Sequence, residues 1–336
     1  MKLLFIGGTG RISMSITKLC ASLGYDLYLL NRGNKNNELS ANIKHLKGDI
    51  NDEKHVADLI KNHYFDAVVN FINYTPDQVE RDIRLFAEKT SQYIFISTAS
   101  AYQKPLSYIN ITESTLLRNP YWEYSRQKIK CEEVLINEYR KSGFPITIVR
   151  PSHTYDKTAV PISISGAYGS WPVLKRMMEG KKVLIHGDGS SLWVLTHSRD
   201  FANGFAGLLN NYHAIGESFH ITSDEVLTWN QIYALVGKAL GVKPKIVHAP
   251  TNTIIKKRPD LIGPLWGDKA NSVIFDNSKI KRFVPDFVAA TRFETGVKES
   301  VEHFLKTPSL QKEDPDYHRF IDEVIQVQEE ANEKLS

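Results

Sequence analysis

A cluster of glycines directly after a short apolar run constrains the fold of this chain more than any other feature. The apolar residues 3–6 predict a buried parallel strand, and Gly7, Gly8 and Gly10 follow it at once. Apolar residues then recur at helical spacing as far as Gly24, and a second apolar run follows. Strand, glycine turn, helix and strand form the first half of a dinucleotide-binding unit. In such a unit the glycines let the backbone approach a pyrophosphate, which binds at the helix N-terminus.

The third position of the glycine fingerprint is occupied by Ser13, three residues after Gly10. Serine is small, so we expect the close packing of the helix on the strand to survive. The alternative is an ordinary strand-to-helix turn without a ligand. The flanking strands and helix favour the nucleotide site.

Strands and helices continue to alternate after this unit. Further strands are predicted at residues 43–46, 67–71 and 93–97, helices at about 53–62 and 76–90, and a loop or frayed helix at 33–42. This alternation predicts an α/β fold with a doubly wound parallel sheet and right-handed crossovers. The ligand should then lie at the carboxyl ends of the strands, where the strand order reverses.

The composition narrows the functional classes. The 336 residues, 42% of them hydrophobic, suit one large domain or a large and a smaller one, and the net charge of +4 is only mildly basic. An anionic substrate or cofactor accounts for that charge, so nucleic acid is not the expected partner. Cys20 and Cys131 fall in predicted helices, which favours core thiols over a disulfide, and no metal site is predicted. Without a secretory signal or a membrane-length apolar stretch, we expect a soluble cytoplasmic protein.

The end of the second strand bears on the choice of cofactor. An acidic residue there would bind the adenosine ribose hydroxyls, but this chain has Asn31 followed by Arg32. A guanidinium suits a 2′-phosphate, so NADP is preferred over NAD. The alternative is that Arg32 is a solvated loop residue. Asp49, just past the third strand, is placed either to accept a hydrogen bond from the adenine amino group or to cap the next helix.

A tyrosine and a lysine one helical turn apart indicate acid–base chemistry. Tyr124 and Lys128 share one face of a predicted helix, and the nearby ammonium should lower the pKa of the phenol. Tyr124 is therefore a candidate general acid or base. Ser97, Thr98 and Ser100, at the end of the fifth strand, are all candidates to hold a substrate oxygen. The alternative for each hydroxyl is a local hydrogen bond to the backbone in a turn.

Taken together, these motifs resemble the extended short-chain dehydrogenase/reductases, the group of NAD-dependent nucleotide-sugar epimerases and dehydratases. The resemblance runs over about residues 1–307. Later landmarks of the family follow in the expected order at Arg150-Pro151, Gly187-Asp188-Gly189, Thr196-His197, Asp200, Phe219-His220-Ile221 and Thr228-Trp229.

The resemblance implies roles for individual residues. It implies that Thr98 is the catalytic hydroxyl, Tyr124 the base, and Lys128 the lysine that also holds the nicotinamide ribose. The implied cofactor-binding residues are Gly7, Thr9, Gly10, Arg11, Ile12, Asn31, Arg32, Asp49, Ile50, Phe71, Ile72, Asn73, Tyr124, Lys128, Pro151 and His153. The implied substrate-binding residues are Ser100, His153 and Trp193.

Two positions depart from the pattern of nucleotide-sugar enzymes. His153 stands where those enzymes often have an asparagine, and Trp193 where they often have an arginine for the substrate diphosphate. A strong diphosphate contact is therefore missing. Cations at 176, 181 and 182 are candidates to replace it, the alternative being a solvated helix end. His153 and Trp193 then line a pocket for a smaller or differently shaped substrate, although a core role for Trp193 is an equal alternative.

These landmarks also predict the domain organisation. Residues 1–150 form a dinucleotide-binding Rossmann domain, which about 200–222 completes. Residues 151–199 and 223–310 form a smaller C-terminal substrate lobe. The charged, helical tail at 311–336 carries an apolar stripe and is expected to cover either the body of the protein or a second subunit of a homodimer.

The expected function is hydride transfer by an NAD(P)-dependent epimerase, dehydratase or reductase at a secondary alcohol or ketone carbon. The expected substrate is a sugar or nucleotide sugar. The alternative is a non-catalytic or RNA-binding protein on the same fold, because residues 266–268 and 275–280 are similar to the branch that contains chloroplast stem-loop-binding proteins. Its basic patch would have to come from Lys243, Lys245 and residues 256–258.

Overall fold

The computed structural model of the chain describes residues 1–33 and 39–334, so part of the loop predicted at 33–42 lies outside the described residues. The strands are β1 (Lys2–Ile6), β2 (Asp26–Asn31), β3 (Lys44–Lys47), β4 (Ala67–Asn70), β5 (Tyr93–Ile96), β6 (Asn110–Ile111), β7 (Ile146–Val149), β8 (His153–Tyr155), β9 (Lys182–His186), β10 (Leu192–His197), β11 (Ser218–Phe219), β12 (Val226–Thr228), β13 (Lys245–Ala249) and β14 (Ile274–Phe275). The helices are α1 (Arg11–Ser22), α2 (Glu53–Ile60), α3 (Pro76–Phe86), α4 (Glu123–Ser142), α5 (Trp171–Met178), α6 (Ser198–Ala206), α7 (Trp229–Leu240), α8 (Thr251–Lys257), α9 (Ile262–Pro264), α10 (Ser278–Phe283), α11 (Phe293–Lys306) and α12 (Pro315–Glu333).

Seven of the strands in the described part of the chain form one sheet in the order β11-β7-β5-β4-β1-β2-β3. Every neighbouring pair in this sheet is parallel. The chain builds outwards in one direction from β1 to β3 and in the other from β4 to β11, so the order reverses between β1 and β4. The predicted α/β fold with a doubly wound parallel sheet is therefore confirmed.

Both faces of the sheet are buried, as the continuous apolar runs require. Successive side chains of β1 point to opposite faces, so Leu3 and Phe5 enter one core while Leu4 and Ile6 enter another. Helices α1 and α6 cover the first face, and helices α2, α3 and α4 cover the second. Cys20 of α1 and Cys131 of α4 are buried free thiols, one in each core.

A third core holds a smaller lobe at the carboxyl edge of the sheet. Its short strands pair as β12-β10-β8, β13-β9 and β14-β6. Large side chains such as Trp193, Trp229 and Phe293 fill its interior. The lobe boundaries expected from the sequence stay predictions.

The C-terminal helix α12 packs on this lobe. Tyr317, Phe320, Ile321 and Val324 are buried in the third core, whereas Val327, which belongs to the same predicted stripe, is 41% exposed. The tail therefore covers the body of the protein, one of the two alternatives left open by the sequence. None of the helices in residues 1–33 and 39–334 is both long and apolar enough to cross a membrane.

Substituting Gly7 tests the close approach at the point where the strand order reverses. Gly7 has φ +78°, and a Cβ there would lie 2.4 Å from Cγ2 of Ile72. Gly143 has nearly the same φ, +77°, but no atom within 4 Å of an added Cβ. We expect Gly143→Ala to cost about 1 kcal/mol of unfolding free energy and Gly7→Ala about 2–4 kcal/mol in urea denaturation. Equal losses would show that Ile72 moves aside at little cost.

Candidate active site

A groove opens at the sheet edge where the strand order reverses. Gly7 follows β1, Ile72 follows β4, and the ends of β2 and β3 complete the rim of a cavity of about 440 Å³. This groove brings together eight of the predicted cofactor residues, Gly7, Thr9, Gly10, Asn31, Arg32, Asp49, Ile50 and Ile72. Because Gly7 lies against Ile72, any side chain at position 7 would fill the floor of the groove.

Ser13 closes the glycine turn in place of the third glycine. Its hydroxyl donates to the Gly7 carbonyl oxygen at 2.9 Å and accepts from the Gly10 N–H at 2.8 Å. Ser13 is 2% exposed, so the small side chain preserves the packing of α1 as predicted. The amides of Arg11 and Ile12 lie in the first turn of α1, where intrahelical acceptors are lacking. These features suit the pyrophosphate of a dinucleotide.

Some predicted cofactor residues have side chains that serve other contacts. The Phe71 ring packs edge-on against Phe5, with ring centroids 5.5 Å apart, and Ile12 packs against the same core. The Arg11 guanidinium lies 3.9 Å from the Asp156 carboxylate, at a different cavity. Asn73 is 1% exposed and binds within the protein. The structure therefore does not bring these four side chains into the groove.

A second cavity, of about 360 Å³, lies further along the same edge, beyond β5 and β7. Thr98 follows β5 and Pro151 follows β7, while Tyr124 lies in the first turn of α4. The three predicted substrate residues, Ser100, His153 and Trp193, line this cavity together with Thr98, Tyr124 and Pro151. The residues proposed for chemistry and for substrate binding are thus adjacent, although they are up to 95 positions apart in the sequence.

Lys128 lies behind Tyr124 and is 2% exposed. Its ammonium donates to the carbonyl oxygens of Asn73, at 2.5 Å, and Ile96, at 2.7 Å. It also lies 6.0 Å from the centroid of the Tyr124 ring. Burial lowers the pKa of Lys128 to about 8. The lysine therefore ties the loop after β4 to the end of β5, directly beneath the phenol.

The predicted lowering of the Tyr124 pKa is wrong for this structure. Burial raises the pKa of the phenol to about 12, and the neighbouring Thr98 hydroxyl acts in the opposite direction but does not offset burial. The Lys128 ammonium, which was expected to favour the phenolate, is directed at two backbone carbonyls instead. Tyr124 therefore carries its proton at neutral pH.

The three candidate hydroxyls divide into two groups. Ser97 donates to the Glu132 carboxylate, which also pairs with Arg150 at 2.6 Å, so Ser97 belongs to a buried structural network. Thr98 is hydrogen-bonded to Ser100 at 2.9 Å, and Ser100 to Ser125 at 2.7 Å. Since Thr98 and Tyr124 line the same cavity, this row of hydroxyls begins beside the phenol.

His153 and Trp193, the two departures from the family pattern, bind each other. The indole N–H of Trp193 donates to Nδ1 of His153 at 3.2 Å, so Nδ1 is unprotonated and the neutral ring carries its proton on Nε2. Burial lowers the pKa of His153 to about 3. The position of the family arginine is thus taken by an uncharged pair.

The cations suggested as replacements for that arginine are bound elsewhere. Arg176 is 2% exposed, and its guanidinium pairs with Asp322 of α12 and donates to the Lys182 carbonyl oxygen at 2.8 Å. Lys182 pairs with Glu329 of the same helix. Lys181 lies 2.9 Å from the carboxylate of Glu179. These side chains attach the tail or stabilise a turn, so they do not replace the missing diphosphate contact.

Two groups of residues around the site were not identified from the sequence. A network centred on Asp82 positions the loop that carries Asn73, whose side-chain amide donates to Asp82 at 2.7 Å. Lys104, Trp122 and Lys269 line the second cavity together with Asp268. Neither group forms one sequence motif, because each is assembled from elements that meet only after folding.

A glycine-lined groove beside a cavity that contains Thr98 and Tyr124, with Lys128 behind the tyrosine and all on a doubly wound sheet, is typical of the short-chain dehydrogenase/reductase class. The model of the NAD dependent epimerase/dehydratase family matches residues 3–222, and the chain belongs to that family. The family predicted from the sequence motifs is therefore confirmed.

Individual relatives are more distant. The chain is 25% identical over 261 residues to the chloroplast stem-loop binding protein of 41 kDa b from Arabidopsis thaliana, covering 74% of this chain and 65% of that protein. It spans 40–65% of the length of the curated relatives it matches. UDP-glucuronic acid 4-epimerase from Bacillus cereus, solved with UDP-glucuronic acid and NAD, has a TM-score of 0.73 at 18% identity, covering 91% of this chain and 99% of that one. UDP-glucose 4-epimerase from Thermotoga maritima, solved with UDP-glucose, has a TM-score of 0.71 at 22% identity, covering 92% and 100%. At these identities the two structures show a shared fold.

Charging His153 should destabilise the fold in acid. The folded state takes up this proton only near pH 3, whereas the unfolded chain takes it up near 6.5, so the unfolding free energy falls as the pH drops through that window. Protonating Nδ1 would also remove the acceptor of the Trp193 N–H. When the pH is lowered from 7 to about 4.5, the unfolding free energy of His153→Asn should fall by about 1–2 kcal/mol less than that of the unmodified protein, as measured by urea denaturation.

The exposed His213 provides the matched control for this measurement. His213→Asn should follow the unmodified protein across the pH range. If His153→Asn does so as well, then His153 is not held neutral by its surroundings.

Proposed function

We propose that this protein transfers hydride between a bound nicotinamide cofactor and a secondary alcohol or ketone carbon of a sugar or nucleotide sugar. The observation that carries the proposal is that Tyr124 and Thr98 line one cavity, on the same sheet edge as the groove. Family membership supports the same reaction class.

The groove fits a dinucleotide. The first-turn amides of α1 and the bare backbone at Gly7 and Gly10 would hold the pyrophosphate, while Asn31, Arg32 and Asp49 would surround the adenosine end. When bound, the nicotinamide supplies the hydride donor or acceptor. Lys128 would orient the nearby ribose, since two carbonyl oxygens already fix its ammonium in place.

The proton is moved by Tyr124. Because the phenol is protonated at neutral pH, it is ready to donate to the oxygen of a ketone as that carbon is reduced. In the oxidising direction Tyr124 would take the proton of the alcohol only as the phenolate, whose formation burial opposes and the neighbouring Thr98 hydroxyl favours. Thr98 also orients the substrate oxygen, and its bond to Ser100 holds it in place.

The walls of the cavity support a sugar as the substrate. Trp122, Trp193 and Phe275 offer apolar faces for a sugar ring, and Ser100 and Asp268 offer polar groups for its hydroxyls. Relatives and structural neighbours named as UDP-glucose 4-epimerases point to the same substrate class. If the cofactor is retained and the hydride returned, the net reaction is epimerisation or dehydration; otherwise it is reduction.

Removing the Tyr124 hydroxyl should stop turnover without emptying the groove. We expect Tyr124→Phe to lower kcat about 10²–10⁴-fold, because general acid–base catalysis is lost, while the dissociation constant for the dinucleotide changes little. Tyr139→Phe, on the exposed face of the same helix, is the control and should retain full activity. Turnover and cofactor binding would be measured separately, with sugar nucleotides and with a fluorescence titration.

RNA binding is the alternative, favoured by the similarity to the chloroplast stem-loop binding protein. The structure weakens the basic patch it would need, because Lys257 pairs with Glu323 at 3.3 Å and Arg258 with Asp260 at 3.0 Å. An RNA binder should be unaffected by Tyr124→Phe, and its affinity should fall steeply with salt. That combination would reject the enzymatic proposal.

We also propose that Arg32 gives the groove a preference for NADP over NAD. Arg32 lies on the rim of the groove beside Asn31, where a guanidinium can grip a 2′-phosphate. Arg32→Glu should weaken NADP binding about 10–100-fold and leave NAD binding nearly unchanged. Lys298→Glu makes the same charge change on the exposed face of α11 and is the control. Tighter binding of NAD than NADP by the unmodified protein would overturn this preference.

A further inference from the structure

Three charged side chains of the catalytic cavity have no role in the proposed proton transfer. Lys104 comes from the loop after β5, and Asp268 and Lys269 come from the segment between α9 and β14. All three line the cavity that contains Thr98 and Tyr124. Charged groups that gather in a cavity beside reacting residues are candidates for substrate recognition.

Lys104 is 1% exposed, which is unusual for a lysine. Its backbone is fixed, since the Lys104 N–H donates to the Arg118 carbonyl oxygen at 2.8 Å. Within residues 1–33 and 39–334, however, its ammonium has neither a hydrogen bond nor an ion pair. The ammonium is not among the fully buried unpaired atoms, so it reaches the cavity, where it can bind an acceptor from outside the chain.

Asp268 and Lys269 belong to a π-helical segment, Leu265–Lys269, a type of turn that is frequent at functional sites. The segment is firmly held. The Lys269 carbonyl oxygen accepts from the Trp229 indole N–H at 3.1 Å, and the Gly267 carbonyl oxygen accepts from the Asn119 amide at 2.7 Å. The same Asn119 amide donates to the Ser100 carbonyl oxygen at 2.8 Å. Asn119 thereby ties the π-helical segment to the loop after β5 that carries Thr98 and Ser100.

Glycine lets this segment approach the cavity wall. A Cβ at Gly263 would lie 2.4 Å from the Trp122 ring, and one at Gly267 would lie 3.0 Å from Cβ of Trp122. Both glycines pack against Trp122, whose ring centroid lies 5.2 Å from that of Tyr124, so the segment is held beside Tyr124. The position of Lys269 is therefore set by packing.

The charges in the cavity do not cancel. Two ammonium groups face one carboxylate, and His153 is neutral because it accepts from Trp193. Within the described part of the chain, no two of the three charged groups lie within 4.0 Å of each other as an ion pair. Burial lowers the pKa of both lysines and raises the pKa of Asp268 to about 6. Two cationic side chains thus share the cavity with one carboxyl group.

We propose that Lys104 and Lys269 bind an anionic group of the substrate, a carboxylate or a phosphate, close to the carbon that faces Tyr124. Asp268 accepts hydrogen bonds from neighbouring hydroxyls and limits the positive charge. This inference rests on the proposed function, because it identifies the occupant of the cavity as the substrate of that reaction. It also explains how the site binds an anion although Trp193 replaces the family arginine.

Binding can be measured without turnover, because Trp122 and Trp193 line the cavity and report on its occupancy by fluorescence. The probes are glucose, glucuronate, glucose 6-phosphate and UDP, titrated into the full chain. We expect at least one anion to bind about tenfold or more tightly than glucose. Binding of glucuronate identifies a carboxylate, binding of glucose 6-phosphate a sugar phosphate, and binding of UDP alone a nucleotide diphosphate.

Three variants test the assignment. Lys104→Met and Lys269→Met should each weaken the preferred anion about 10- to 100-fold and leave glucose unchanged. Asp268→Asn should strengthen anion binding several-fold, since it removes the opposing charge. Lys298→Met, on the exposed face of α11, should change neither anion binding nor glucose binding. Lys104→Met should also unfold at the same or a higher urea concentration, because a deeply buried unpaired lysine is removed. If Lys104 were instead required for folding, the substitution would lower both the stability of the protein and its affinity for anions.

The proposal is overturned if no probe shows anion binding that depends on Lys104, or if glucose binds as tightly as the anions. Tyr124→Phe separates this failure from failure of the proposed function. Anion binding that survives Tyr124→Phe, with no turnover of any sugar by the unmodified protein, would support the site and reject the reaction. Turnover of neutral sugars with no anion preference would support the reaction and reject the anion site.

Discussion

Asp82 is fully buried beneath the loop that follows β4, and three donors converge on one of its carboxylate oxygens. The amides of Asn70 and Asn73 donate to it at 2.6 and 2.7 Å, and the Tyr93 hydroxyl at 2.6 Å. A buried carboxylate is tolerated only when it is bound so completely. Through Asn73 this network fixes the carbonyl oxygen that accepts from Lys128. The position of Lys128, and of the proposed catalytic residues beside it, thus depends on a carboxylate that does not line the cavity with Thr98 and Tyr124.

The lobe contributes to the site through equally specific contacts. Asn119 links the loop that carries Ser100 to the π-helical segment Leu265–Lys269, and Trp122 packs against Gly263 and Gly267. Helix α12 holds the lobe from outside, burying an apolar stripe and pairing Asp322 with Arg176. One wall of the cavity is therefore built by the sheet and the other by chain segments more than a hundred residues away.

The sequence predicted the part of the site that lies in contiguous motifs. The glycine turn at 7–10, the end of β5 and the Tyr124–Lys128 helix each carry their own pattern, and the structure brings all three to the carboxyl edge of the sheet. Predictions about electrostatics were less successful, because they depend on burial. A lysine one turn away suggested a lowered tyrosine pKa, but desolvation of the phenol outweighs that charge. Arg176 likewise looked available, although the tail encloses it.

What the sequence determined by itself is the order of strands, glycine turns and helices, and hence the class of fold, because apolar periodicity and glycine placement act locally along the chain. The tertiary structure decided which charges face the cavity and which are neutralised. Lys104, Asp268 and Lys269 meet there only because the lobe packs against the catalytic loop, while Arg176 and Lys182 are bound by α12. Burial and pairing arise from contacts between distant segments, so no local pattern encodes them.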